Sequence, residues 1–182
     1  MRKSIHQSAD GFSLIEVVVA TGILATGLLS LAGVFSLGML HMAGSTPGVI
    51  AREKAREAVE SVHTARDTAK ASWDKIKNAP APGVFLVGPQ PLYKPGADGL
   101  ANTADDAAAG LEKLPGADNV GGTFDDVPLT DYTREIQISD LFMDNNPLVV
   151  NPNLRQIKVI IKYKVSGYWR TYTLTTYVSS FS

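Results

Sequence analysis

Between Glu16 and Arg52 the chain carries no formal charge, and the run from Val17 to Ala51 is dominated by Val, Leu, Ala and Gly. A helix crosses roughly 30 Å of hydrocarbon in about 20 residues, so the stretch from Phe12 to about Ala43 is long enough to span a bilayer. One carboxylate, Glu16, stands inside the apolar stretch near its start. An ionised group at the centre of a spanning helix costs roughly 2.5 to 3.5 kcal/mol on insertion scales, so a carboxylate there has a partner or a task.

A short polar leader with Arg2 and Lys3 precedes this helix and ends at Gly11, without the small-residue cleavage site of a secretory signal. The junction reads Gly11-Phe12-Ser13-Leu14-Ile15-Glu16. It resembles the signature of type IV prepilins and type II secretion pseudopilins, in which a leader ending in Gly is followed by Phe, with Glu five residues into the mature chain. The resemblance implies that a membrane-embedded prepilin peptidase cuts between Gly11 and Phe12 on the cytoplasmic side and methylates the new terminus at Phe12. A buried amine is costly unless a carboxylate meets it. In the family the equivalent of Glu16 takes the amine of a neighbouring subunit, which sets the axial register of a helical filament. The partners so implied are the peptidase, other pilin or pseudopilin subunits, and an inner-membrane assembly platform. The implied location is a single pass of the inner membrane, with the head in the periplasm or outside, and then the pilus or pseudopilus. The alternatives are an uncleaved signal anchor or an ordinary signal peptide. The latter puts its basic residues directly before a short apolar core, whereas His6-Gln7-Ser8-Ala9-Asp10 intervenes here and the apolar run is far longer.

The remaining length of the 182-residue chain suits one small domain. A net charge of −1 argues against a dominant nucleic-acid partner. The absence of cysteine removes disulfides and thiolate metal ligands, including the C-terminal loop disulfide found in many pilins.

Gly22, Gly27, Gly33, Gly38 and Gly44 punctuate the apolar helix and allow close backbone approach between helices. Major pilins usually carry a proline where this chain has Gly33, near a segment that loosens in the filament. Thr46-Pro47 reads as an N-cap followed by proline at the first helical position, which predicts a kink or a fresh start. Ala55, Ala58, Val59, Val62, Ala65, Ala69, Trp73 and Ile76 then recur at three- and four-residue intervals, predicting an amphipathic helix to about Lys77 that ends at Pro80 and Pro82.

From Pro80 to about Asp131 no periodicity survives and proline and glycine are dense. Between Gly96 and Asp131 eight acidic residues stand against Lys113 as the only base, so the segment is either solvated or gathered around a cation. The stretch Asp98 to Asp106 is the best candidate, with Asp98, Asn102, Asp105 and Asp106 as oxygen donors for a hard ion such as Ca²⁺. It has neither the ligand spacing nor the closing Glu of an EF-hand. Major pseudopilins bind Ca²⁺ in a loop, but this stretch does not align with theirs residue by residue.

Alternation returns at Tyr132–Ser139, with Ile136 and Ile138 on one side. Leu154–Val165 sets Ile157, Val159, Ile161, Tyr163 and Val165 against Lys158, Lys162 and Lys164. Ser166-Gly167 is a hairpin turn, and Tyr172, Leu174 and Val178 share the inner face of a last strand. The expected organisation is a leader (1–11), a transmembrane and assembly helix (12–44), an amphipathic stalk helix (45–79), a Pro-, Gly- and Asp-rich loop (80–131) and a three-stranded antiparallel sheet (132–182). This is an α+β chain of type IV pilin-like layout, a long N-terminal helix packed on a small sheet.

Arg155, Lys158, Lys162, Lys164 and Arg170, interleaved with Tyr168, Trp169 and Tyr177, invite reading as a nucleic-acid face. Without excess basic charge, lysines that solvate a sheet and protect its edge explain them better. No catalytic constellation stands out: His41 and His63 lie on helices far from any nucleophile. The sequence therefore points to a minor pilin or pseudopilin with a structural role, no enzymatic activity and no required cofactor. The competing reading is a membrane-tethered extracytoplasmic binding module, Ca²⁺-dependent or not, that never polymerises.

Overall fold

The structure, a computed structural model, describes residues 11–143 and 146–181, without the side chains of 40–45 and 146–148. The leader expected at 1–11 lies outside the described residues except for Gly11. The chain divides into two units, Met1–Ala43 and Gly44–Ser182.

In the first unit, helix α1 begins at Leu14, and its stretch Leu14–Met39 has a mean hydropathy of 2.1 with none of it buried. A helix with leucine, isoleucine and phenylalanine exposed on all sides is stable in lipid or against other helices, not in water. This helix is therefore long and apolar enough to span a membrane once. Helix α1 is assigned as far as Asp67 with Pro47 inside it, so the fresh start expected at Thr46-Pro47 is not seen. Proline in a helix interior costs about 3 kcal/mol. Here the turn is held from outside, by the Tyr132 hydroxyl donating to Pro47 O at 3.4 Å.

In the second unit, Ala51, Ala55, Ala58, Val62 and Ala65 of α1 are buried in the core against a sheet. The helix ends at Asp67, ten residues before the expected Lys77. Ala69 takes φ +53 and is exposed, whereas Trp73 and Ile76 reach the core from a separate 3-10 turn, Trp73–Lys75. The change of direction has a polar cause: Trp73 Nε1 donates to Pro152 O at 2.8 Å, and the Arg155 guanidinium lies 4.1 Å over the Trp73 ring.

Among the described residues the sheet has four strands, one more than expected: β1 (Gln90–Pro91), then β4 (Tyr132–Met143), β5 (Asn146–Val165) and β6 (Tyr168–Ser179), antiparallel in the order β1-β4-β5-β6. Tyr132, Ile136, Ile157, Val159, Ile161, Tyr163 and Val178 are buried on the helix side. The β5–β6 turn has φ +50 at Ser166 and +86 at Gly167, the paired positive values of a two-residue hairpin. Between α1 and β4 the chain is irregular, with a short helix α2 (Asp106–Ala109) and a two-stranded ladder of β2 (Lys113–Leu114) and β3 (Val127–Pro128). It is not merely solvated loop, because Phe85, Leu92, Leu100, Ala101 and Leu129 are all core residues.

Candidate functional site

Gly11 and Phe12 lie exposed before the first turn of α1. Ser13 caps the helix: the Glu16 N–H meets Ser13 O at 3.1 Å and Ser13 Oγ at 3.3 Å, the Ser-x-x-Glu spacing of a capping box. Glu16 shares a face with Phe12, Ala20 and Leu24, flanked by Val17 and Thr21. The hydroxyls of Thr21, Thr26 and Ser30 donate back to helix carbonyls at 2.8 to 3.0 Å. Glu16 is the one charged residue of the stretch Leu14–Met39. The run from Val17 to Ala51 holds no countercharge for it.

The second site is the acidic loop. Asp98, Asp105 and Asp106 bring carboxylate oxygens within 4.8 Å of one another. Asp106, 2% exposed, takes N–H bonds from Gly96 (2.9 Å), Asn102 (2.6 Å) and Thr103 (3.2 Å). Asp98 is exposed and accepts from Leu100 N at 2.8 Å, and Asp105 accepts from Asp98 N at 3.2 Å. The Thr103 hydroxyl and then the Asp98 N–H hold the Asp105 carboxyl below its usual pKa. Asn102 is buried and donates from Nδ2 to Leu86 O at 3.3 Å, which faces it toward the core side of the loop. The donors fit a hard cation by chemistry, with Asp98 and Asp105 outward and Asp106 committed to the backbone.

The loop is also one of a pair, which the sequence reading missed. Pro95-Gly96-Ala97-Asp98, Thr103 and Asp105-Asp106 recur twenty residues on as Pro115-Gly116-Ala117-Asp118, Thr123 and Asp125-Asp126. The self-similarity search that finds repeats would have shown it. Both copies fold alike. Val120 N donates to Asp118 at 2.8 Å, Thr123 Oγ1 to Asp125 at 2.7 Å and Gly122 N to Asp126 at 2.7 Å, as Leu100, Thr103 and Asn102 do in the first copy. A Cβ at Gly96 would collide with the Asp105 carboxylate, and one at Gly116 with that of Asp125. Positive φ falls at Gly99 and Asn102, then at Asn119 and Gly122.

No family model, curated protein or solved structure matches the chain.

Around the first copy lies a buried charge cluster that periodicity did not reveal. Arg134, on the inner face of β4, is fully buried, with Nη1 3.5 Å from Glu112 Oε1 and Nη2 3.9 Å from Asp106 Oδ2. Lys54 of α1 pairs with Glu112 and, at 2.7 Å, with Glu57. Burial pushes the Glu112 carboxyl up, against the pull of Lys54. Burial works to lower the Lys54 pKa, but its hydrogen bonds and charge attraction to Glu112 and Glu57 prevail and leave it raised. The cluster ties helix, loop and sheet together.

The basic residues of the sheet separate by parity. Arg155 is buried on the helix side, donating to Ile76 O at 3.0 Å and to Asp140 at 3.1 Å, so it does not belong to a solvent-facing basic surface. Lys158, Lys162 and Lys164 share the other face with Trp169 and Tyr177.

Proposed function

We propose that the chain is a minor pilin or pseudopilin, a structural subunit of an inner-membrane-assembled type IV pilus or type II secretion pseudopilus. The observation that carries the reading is the junction Gly11-Phe12 placed just before one fully exposed apolar helix whose single charge is Glu16. A free amine made at Phe12 by cleavage would supply the countercharge that the apolar segment lacks. The α+β layout is compatible with this reading, and the exposed apolar helix supports residence in a membrane and then among other such helices. In this reading a prepilin peptidase cleaves after Gly11 and methylates Phe12, an assembly platform collects the subunits, and the head is extracytoplasmic. The role is mechanical, with no catalytic step.

Intact mass and N-terminal sequencing of the protein from its native host test the reading. A chain that begins at Phe12 with one added methyl supports it, and one that begins at Met1 overturns it. Glu16→Ala then separates a filament subunit, which is still processed but no longer assembles, from a tethered module, which is indifferent.

Convergence of Asp98, Asp105 and Asp106 favours one further element, Ca²⁺ held by the first acidic loop. Calorimetric titration of the full chain with Ca²⁺ tests it. Heat that vanishes in Asp98→Asn/Asp105→Asn supports the ion, and a flat titration removes it.

A further inference from the structure

We propose that the head carries a self-association contact in which the second acidic loop of one copy, led by Phe124, seats in a groove on the solvent face of a second copy's sheet. Pro89, Pro91, Thr133, Lys162, Trp169 and Thr171 form that groove, whose volume is about 640 Å³.

The argument begins with what the loop does not need. Its backbone is reproduced in the first copy, where Ala104 stands at the position of Phe124. The aromatic ring therefore serves no purpose in shaping the turn. Phe124 is nonetheless 102% exposed, and Val120 and Val127 beside it are more than half exposed. A Phe, two Val and the surrounding carboxylates make an apolar tip with an acidic rim, since Asp118, Asp125, Asp126 and Asp131 have no base among them from Gly116 to Asp131.

The groove is the complement. Two prolines and the exposed Trp169 give it an apolar floor, and Lys162 stands in it. Lys158 and Lys164 lie on the same face, with the Lys164 ammonium 5.3 Å over the Trp169 ring. Glu135, the acidic residue on that face of β4, accepts a bond from Gln137 Nε2 at 2.8 Å. An aromatic anchor in an apolar pocket with opposite charges around it is the usual anatomy of a contact hot spot.

Among the described residues none covers Phe124, which is 102% exposed, so it does not fill its own groove. A plug and a groove on different surfaces of one molecule pair either reciprocally in a two-fold dimer or head to tail from copy to copy. The contact stands independently of the role proposed for α1, although a filament would use it to join heads.

The chain has no cysteine, so introduced thiols report the contact cleanly. Full-length chains carrying Gly121→Cys, where a Cβ finds open space, are mixed in detergent with differently tagged chains carrying Thr171→Cys, and oxidised. The expected result is a mixed disulfide dimer. Its yield should exceed that with Ser139→Cys, exposed elsewhere on the same face, and fall about tenfold or more when Phe124→Ser or Trp169→Ala is added. It should also fall severalfold at high salt, because the rim is ionic. Equal yields at 171 and 139, or a yield indifferent to Phe124→Ser, would overturn the contact. Glu16→Ala in both chains separates this from the filament reading: a disulfide that persists while assembly is lost leaves the head contact standing alone. Filaments without the disulfide leave only the helix.

Discussion

The two acidic loops share a backbone and differ in what surrounds them. In the first, Leu100, Ala101, Asn102, Thr103 and Asp106 are buried, and Arg134 faces the last carboxylate. In the second, the matching Val120, Gly121 and Gly122 are exposed, and the loop stands at the end of the β2–β3 ladder. The residues identical in both copies are those that make the turn: a glycine against a carboxylate, and aspartates that capture N–H groups. The residues that differ decide whether the turn is docked. Local conformation and tertiary placement are thus written in separate letters of the same twelve-residue phrase.

The largest expected effect follows from the two final aspartates. Asp106→Ala removes a carboxylate that accepts three backbone N–H groups and faces a buried guanidinium. Breaking a buried pair of this kind costs about 3 to 5 kcal/mol. Asp126→Ala loses one bond to Gly122 N at a partly exposed site and should cost about 1 kcal/mol or less. Urea unfolding of the two variants measures the gap; equal losses would show that docking does not separate the loops energetically.

Next come the apolar positions. Leu100→Ala should cost about 2 to 3 kcal/mol, because the side chain is 5% exposed in the core. Val120→Ala and Phe124→Ser, both at exposed sites, should stay within about 0.5 kcal/mol. A large loss at Phe124 would mean that the second loop is covered within its own chain, which would also remove the plug from the contact proposed for it.

How much of this was legible in the sequence depends on the length of the signal. Tyr132 to Val178 alternates for long stretches, so the inner faces of β4 and β5 could be read from parity alone, and the alanine stripe of α1 from its 3.6 period. Parity even places Arg134 beside Ile136, but its partners Glu112 and Asp106 come from an aperiodic segment that no pattern connects to β4. The end of α1 at Asp67 was hidden because Ala69, Trp73 and Ile76 keep helical spacing after the helix has stopped. The distant Pro152 carbonyl and Arg155 ring contact, which redirect the chain there, leave no local trace. Short β1 was invisible for a related reason, since two residues cannot show a period.

The smallest effect is the most direct test of whether the loops are equivalent. In each, a threonine hydroxyl is the leading cause that lowers the following aspartate, Thr103 for Asp105 and Thr123 for Asp125, with a backbone N–H adding to it. Both carboxyls should titrate below the ordinary 3.8 when followed by carbon NMR. A depressed folded pKa contributes stability above the unfolded value, and that contribution is lost as pH falls through the folded one, so both loops weaken only below about pH 4. Glu112 has the opposite sign. Its folded value lies above 4.5, so the folded state holds the extra proton between the two values and this group's contribution falls as pH rises through that window. If Asp125 titrates at the ordinary value while Asp105 stays low, the hydrogen-bonded turn needs docking to persist, and the loops share a sequence without sharing a stable structure.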